Sequence, residues 1–504
     1  MRRLIFLLIT ISAIVSVSAC ADTNLPPTPT LAAPTQPRAT SANSTPASTP
    51  PTAERAASST PALTATRTTT PTTTPTSTIT PTPTVTPTPL QTFAVNQCAE
   101  IWQPGIYKLT NDVVAPGTRD CFLIQSHNVT FDCDNHMIEG NTKNIKVKQY
   151  AYSAIHVRKF NFPLLETPNN VEIKNCKARY NKLGVFVESG TNIYVHDNTL
   201  SDNLNSIDPT GFGIFLGMTE GGGIRFEDVR SARVENNTTE SEAIGIDVRN
   251  SDSIVIRNNN SNKNSAWGIN LLNTSNSEVS TNTTRENVRY CKWGNGTVGR
   301  GCDAAGIILQ DGASNNVIKE NQVLGDNANG IFIKAHGVRC GDNNTIQSNK
   351  IIGALYNAIE LSFCKGNKII GNELAGSYDA VYFGFTTNTE VRNNTIRDMR
   401  NHGILTWNSR GSIIANNEII NSRTGIEMYW DEWDPKQYSF LPTSPDKYAT
   451  RDNLIDSNFI HDNAVVGIRL RDAIYNKIIN NTFAGNPKDI LADGKTDGNT
   501  IQGQ

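Results

Sequence analysis

Glycine is missing from the first fifth of the chain: 36 are present in 504 residues, and none precedes Gly105. Proline shows the reverse bias, with 15 of its 24 residues before position 92. Charge of one sign is also lacking, since 45 basic side chains face 47 acidic ones. A nucleic-acid binder would carry a basic stripe, so that partner class is excluded. No Cys-x-x-Cys pair occurs, and the five methionines and seven histidines are scattered singly. Zinc and copper sites need clustered soft or imidazole ligands, and neither pattern is here.

These biases divide the chain into three parts. Residues 1–19 read as a lipoprotein signal peptide. Arg2 and Arg3 supply the charge, and the apolar run Leu4 to Val17 is too short for a membrane span. The run ends in Val17-Ser18-Ala19-Cys20, a lipobox-like sequence that predicts lipidation at Cys20. Residues 20–92 are nearly all Thr, Pro, Ser and Ala, a composition that cannot build a core. Such a disordered stalk, if stretched, reaches on the order of 200 Å. Residues 93–504 are the folded body, placed by this leader on the extracellular face of the cell membrane. A compact single core would not hold roughly 410 residues, but a solenoid grows in one direction and escapes that limit.

The body repeats about every 22 to 24 residues. One strand reads Gly-Ile-x-Leu-x, as in Gly245-Ile246-Asp247-Val248, Gly330-Ile331-Phe332-Ile333 and Gly425-Ile426-Glu427-Met428. A second is typified by Thr345-Ile346-Gln347-Ser348-Asn349, and a short aliphatic strand follows each such Asn. Alternation within the strands is the β period, and fixed self-similarity at this length means a solenoid. The Asn column runs Asn198, Asn237, Asn259, Asn282, Asn321, Asn349, Asn372, Asn394, Asn417, Asn458 and Asn481. Asn tolerates left-handed angles at a bend, and stacked amides bond along an in-register stack. The column therefore predicts a structural ladder, and sequons such as Asn236-Asn237-Thr238 and Asn393-Asn394-Thr395 become its by-products.

Apart from Cys20 there are eight cysteines, an even number that predicts disulfides in an oxidising compartment. Sequence does not fix their connectivity. Cys340 and Cys364 lie one coil apart, so stacking brings them close. Cys291 and Cys302 bracket an insertion, and Cys98 with Cys121 and Cys133 with Cys176 would complete a local pattern.

In these coils the chain resembles the right-handed parallel β-helix proteins of the pectin-lyase-like superfamily, over roughly residues 95 to 504. It is most similar to surface β-helix proteins with carbohydrate-binding and sugar-hydrolase repeats. The opening stretch, from Gly105-Ile106-Tyr107-Lys108-Leu109 to His136-Met137-Ile138-Glu139-Gly140, resembles the usual first coils. The resemblance implies an all-β, right-handed parallel β-helix, and it is far less specific for activity than for fold.

Function is sought where the repeat varies. In Gly-Ile-x-Leu-x the x positions point outward. One outward column reads Phe186, Phe215, Asp247, Asn270, Ile308, Phe332, Glu360, Tyr382, Leu405, Glu427 and Arg469. The next reads Glu188, Gly217, Arg249, Leu272, Gln310, Lys334, Ser362, Gly384, Trp407, Tyr429 and Arg471. Exposed aromatics among charges suit a sugar chain, which offers both C–H faces and hydroxyls. Asp247, Arg249, Tyr382, Trp407 and Tyr429 are the candidate binding residues on the strands. Two long steps, Gly268 to Gly306 and Gly425 to Gly467, carry insertions that would wall this face. The second holds Trp430, Asp431, Glu432 and Trp433.

A hydrolase needs two carboxylates about 5 to 9.5 Å apart. Glu360 and Glu427 are three coils apart, roughly 14 Å, which is too far. Glu427 with Asp431 or Glu432 is the better pair. A lyase would instead draw on Lys334, His336 and Glu360, with Ca2+ as the cofactor such a reaction would admit. Ala335-His336-Gly337 is faintly similar to the Gly-His-Gly of polygalacturonases, but the paired aspartates of that family are missing. The sequence thus predicts a membrane-anchored, monomeric β-helix that binds, and as hydrolase or lyase would cleave, a polysaccharide or cell-surface glycan. The alternative is a non-catalytic adhesion or glycan-binding scaffold.

Overall fold

The computed structural model describes residues 90–140, 152–161, 165–203, 221–292, 298–301, 304–325, 327–334, 340–431 and 449–503. Cys20 with its leader and stalk, Phe215, Gly217, Cys302, His336, Glu432 and Trp433 lie outside them. The described residues all fall in the second of two units, Met1–Thr84 and Val85–Gln504.

Among the described residues the regular structure is strand, in three long parallel sheets of 15, 16 and 14 strands. Each coil gives one strand to each sheet and pairs with the coils before and after it. Thr424–Tyr429, for example, lies in register between His402–Trp407 and Val466–Arg471. The 15-stranded sheet is the Gly-Ile sheet of the repeat. The 16-stranded sheet carries strands such as Thr345–Gln347, and the 14-stranded sheet carries the short strands after each Asn, such as Lys350–Ile352.

The inward side chains stack like upon like. Ile246, Ile269, Ile307, Ile331, Ile359, Val381, Ile404, Ile426 and Ile468 form one fully buried column. β-branched residues suit a pleated, fully packed surface, which explains their repetition. The repeating Gly has a steric cause. A Cβ at Gly425 would lie 2.4 Å from the Gly467 carbonyl oxygen and 2.6 Å from Ile460 of the 14-stranded sheet. The Gly-Ile strand therefore enters its sheet where backbone from the next coil leaves no room for a side chain.

The Asn ladder is present and buried. Asn321 is representative: its amide nitrogen donates to Asn349 Oδ1 at 2.9 Å and to the Val279 carbonyl at 2.9 Å. The left-handed angle, however, sits one residue earlier. Asn236 (φ 57°), Thr281 (φ 52°), Glu320 (φ 56°) and Ser348 (φ 54°) take the bend, leaving the following Asn to turn its amide inward. Asn236 and Asn393, the sequon residues, are exposed bend residues beside buried ladder residues Asn237 and Asn394. Two further ladders flank the first. One links Asn264, Asn287 and Asn327, and another links Asn453, Asn476 and Asn499.

Disulfides join Cys98 to Cys121, Cys133 to Cys176, and Cys340 to Cys364, each tying neighbouring coils. The first insertion carries an antiparallel pair, Arg289–Lys292 with Val298–Gly301. One stretch of register is corrected. Phe186 is followed in its column by Arg225 and not Phe215, because Gly222–Glu227 is the strand between Leu183–Val187 and Ile244–Arg249. Glu227, not Gly217, precedes Arg249 for the same reason.

Candidate functional site

The outward face of the Gly-Ile sheet is less open than its sequence suggests. Asp247 is only 1% exposed. Its carboxylate accepts from Arg225 Nε at 2.8 Å, Arg249 Nε at 2.9 Å and Asn270 Nδ2 at 2.8 Å. Asp247 and Arg249 are therefore committed to each other within a buried network. Ile308 and Phe332, two other outward positions, are buried in an apolar cluster with Ile244, Ala266, Trp267 and Ala305. Trp430, expected to wall the face, is 4% exposed and packs with Ala449 and Ile474, so its ring is core.

The other predicted residues are dispersed along the rod. Lys334 and Glu360 are half-buried, and Glu360 accepts from Asn357 Nδ2 at 2.8 Å. Glu360, Tyr382, Leu405 and Glu427 follow one another coil by coil. The separation of roughly 14 Å expected between the two glutamates follows from that register. Asp431 is exposed, and its backbone is clamped at both ends by the Asn408 amide, at 2.8 Å each way.

The densest cluster gathers around Glu427, and it joins Arg469 and Arg471 of the outward columns to Asp379, His402 and Asp493, which those columns did not include. His402 Nδ1 lies 2.9 Å from Asp379 Oδ1, which also accepts the His402 backbone N–H at 2.8 Å. Its Nε2 lies 3.0 Å from Glu427 Oε2. Arg471 reaches the other Glu427 oxygen at 3.1 Å, and its guanidinium lies 3.7 Å over the Tyr429 ring. Arg469 stands 4.0 Å from Glu427 and donates to Asp493 at 2.9 Å. Asp379, His402, Glu427, Arg471 and Asp493 come from five successive coils, so stacking alone assembles them.

Electrostatics follow from this geometry. Burial disfavours a charged His402, but hydrogen bonds to Asp379 and Glu427, and their charges, outweigh it and raise the imidazole to about 9. Burial likewise disfavours the Glu427 carboxylate. The His402 hydrogen bond and the charges of His402, Arg471 and Arg469 hold it below the usual range. At neutral pH the cluster is an imidazolium between two carboxylates. An acid held so firmly ionised does not protonate a leaving group, so the pairing of Glu427 as general acid with Asp431 is not favoured by this arrangement.

Aromatic rings border the cluster. Tyr382 and Trp407 have centroids 6.4 Å apart, and Tyr429 follows Trp407 on the next coil. A Cβ at Gly384 would lie 2.9 Å from the Tyr382 hydroxyl, so the tyrosine leans across that glycine towards Trp407. All three rings are partly exposed.

Two comparable polar clusters lie elsewhere. His156 is 2.8 Å from Asp120 and 3.4 Å from Glu188, at the first coils of the same sheet. His196 is 3.0 Å from Glu172 on the 16-stranded sheet, stacked on Tyr194, whose hydroxyl donates to Glu235 at 3.0 Å. Neither adjoins the Tyr382, Trp407 and Tyr429 rings. Among the described residues, no three His, Cys, Asp or Glu side chains converge to hold a metal.

Asp379 and His402 had a sequence signature. Each directly precedes the small residue of the repeat, in Asp379-Ala380-Val381 and His402-Gly403-Ile404. That column also faces outward, since its Ile244, Trp267 and Ala305 pack with the outward residues Ile308 and Phe332.

Solved structures similar to this chain include the A-module of the Azotobacter vinelandii mannuronan C-5 epimerase AlgE6, at 13% identity and TM-score 0.45, covering 79% of this chain and 91% of that one. The A-module of the A. vinelandii epimerase AlgE4 is 16% identical with TM-score 0.42, covering 78% and 90%. The Dettilon tailspike protein is 14% identical with TM-score 0.40, covering 62% and 59%. No curated protein matches the chain. The family described as right handed beta helix region matches residues 213–356 and 336–504, more than half of the sequence. With three parallel sheets wound through the same residues, the chain belongs to the right-handed β-helix family.

Proposed function

We propose that this protein is a cell-surface β-helix, anchored through a lipid on Cys20, that binds a polysaccharide on the outward face of its Gly-Ile sheet. The binding surface is Tyr382, Trp407 and Tyr429 beside the Glu427–Arg471 pair. The observation that carries this reading is the Arg471 guanidinium, laid 3.7 Å over Tyr429 and fixed at 3.1 Å by a buried glutamate. A planar cation and aromatic rings on adjacent coils offer hydroxyl-binding donors next to C–H-stacking faces. A sugar chain presents both. Glu427 serves there as the anchor of Arg471 and not as a proton donor.

The test is retention of the purified protein on a glycan array, with reducing ends and unsaturated-uronate absorbance followed on the same polysaccharides. Binding without product is the expected result, and Trp407→Ala with Tyr429→Ala should weaken it about tenfold or more. Retention on no glycan would overturn the reading, and product formation would restore the enzymatic one. Anchoring has a separate test. Cys20→Ala should release the protein from membranes, and unchanged partitioning would refute the lipid.

A further inference from the structure

Tyr356 and Tyr378 are exposed at 39% and 43%, unusual for large rings outside the core. They occupy equivalent corners of successive coils, just before the Gly-Ile strands: the Tyr378 N–H donates to the Tyr356 carbonyl at 2.8 Å, and the Asn401 N–H to the Tyr378 carbonyl at 2.8 Å. Asn357 directly follows Tyr356 and Asp379 directly follows Tyr378, while His402 follows Asn401 at the same corner of the next coil. Tyr378 therefore borders the His402–Glu427 cluster through Asp379, at the end of the strand opposite Gly384 and Trp407, and Tyr356 extends that corner by one coil.

This corner is braced. Arg400 Nη2 donates to the carbonyls of Ala354 and Leu355, two coils back, while its guanidinium lies 5.7 Å from the centre of the Tyr378 ring. One arginine thus ties the coil of His402 to that of Tyr356, across the coil of Tyr378, and supports the second ring. Rigid aromatic surface costs little ordering on binding, which distinguishes it from loosely held exposed side chains.

From Tyr378 to Gly384, which pairs with Trp407, is the length of one strand, about 20 Å at the β rise. We propose that Tyr356 and Tyr378 form a second aromatic subsite for the same polysaccharide, so that the sugar chain crosses the strand from this corner, over the His402–Glu427 cluster, to Trp407 and Tyr429. This rests on the reading of that face as glycan-binding. It adds a direction, across the rod and not along it, and a length: the ligand is an oligosaccharide run of about 20 Å with C–H faces at both ends.

The experiment uses the full-length protein with neutral and uronic-acid homopolysaccharides and their size-graded fragments, read by calorimetry. Affinity should rise with fragment length and level off near 20 Å. The double variant Tyr356→Ala/Tyr378→Ala should lose about tenfold or more for long fragments and nothing for the shortest, with an unchanged Tm. Equal loss for all lengths, or no loss for any, overturns the second subsite while leaving the first intact. Wild-type affinity that does not depend on length does the same. Failure of the wild type to bind any of these polymers overturns both.

Discussion

The His402 imidazole joins Glu427 of the next coil at 3.0 Å and Asp379 of the preceding coil at 2.9 Å, so one side chain links three coils through charge. Its pKa of about 9 makes this link pH-dependent. A histidine raised above its unfolded value of 6.5 contributes stability that is complete below pH 6.5 and lost as pH rises through about 9. The loss is on the order of 3 kcal/mol. Urea unfolding at pH 6 and pH 10 should show it in the wild type and not in His402→Gln. An NMR titration placing the His402 ring near 6.5 would contradict the arrangement.

Glu242 presents the opposite case, a carboxyl with no cation. It is fully buried and occupies a slot in a side-chain ladder, accepting from the Asn203 N–H at 2.8 Å and Asn203 Nδ2 at 2.9 Å. Burial pushes its pKa well above 4.5 despite those two hydrogen bonds. An acid raised on folding stabilises fully below its unfolded pKa, and that stability is lost as pH rises towards the folded one. Glu242→Gln should therefore unfold at higher denaturant than the wild type at pH 8, by about 1–2 kcal/mol, and the advantage should vanish at pH 4. A glutamine variant weaker at both pH values would show that the site needs two acceptor oxygens for the Asn203 donors and would overturn this expectation.

The period of the sequence made most of this fold legible. Gly-Ile-x-Leu-x identifies a strand because the first slot takes only a small residue, glycine in most coils and alanine at Ala358 and Ala380, and the aliphatics must stack from coil to coil. The ladder of Asn349 and its neighbours was readable for the same reason. Its two companions were equally visible in spacing: Asn453, Asn458 and Asn463 fall five apart, as do Asn476, Asn481 and Asn486. The site was harder to read. Whether Asp247 faces solvent depends on Arg225, 22 residues away, and Arg225 was displaced from its column by an uneven coil. Of the partners of Glu427, Arg471 lies 44 residues away on an outward column, but His402 lies 25 residues away on a column that strand alternation alone assigns to the interior. Charge pairing between coils is a property of register, and irregular insertions blur register first.

The ladder offers the sharpest separation of shape from hydrogen bonding. At Asn321, Oδ1 accepts from the Asn282 N–H at 2.9 Å and from Asn282 Nδ2 at 3.0 Å, while Nδ2 donates to the Asn349 oxygen and the Val279 carbonyl. Asn321→Leu keeps the branched heavy-atom shape, with larger methyl ends, and removes every one of these bonds. Two buried donors of Asn282 then lose their acceptor, which should cost on the order of 3–5 kcal/mol in urea unfolding. Asn321→Asp keeps both acceptors and removes the donors, setting a carboxylate against two oxygens in a buried site. At pH 8 it should be at least as damaging as leucine. It should recover at pH 4, where a protonated acid again donates to Asn349 or Val279. Leucine should not recover, because it has nothing to protonate. Equal stability of the two variants at both pH values would mean that the column is held by packing, and that its amides are passengers on the β-helix.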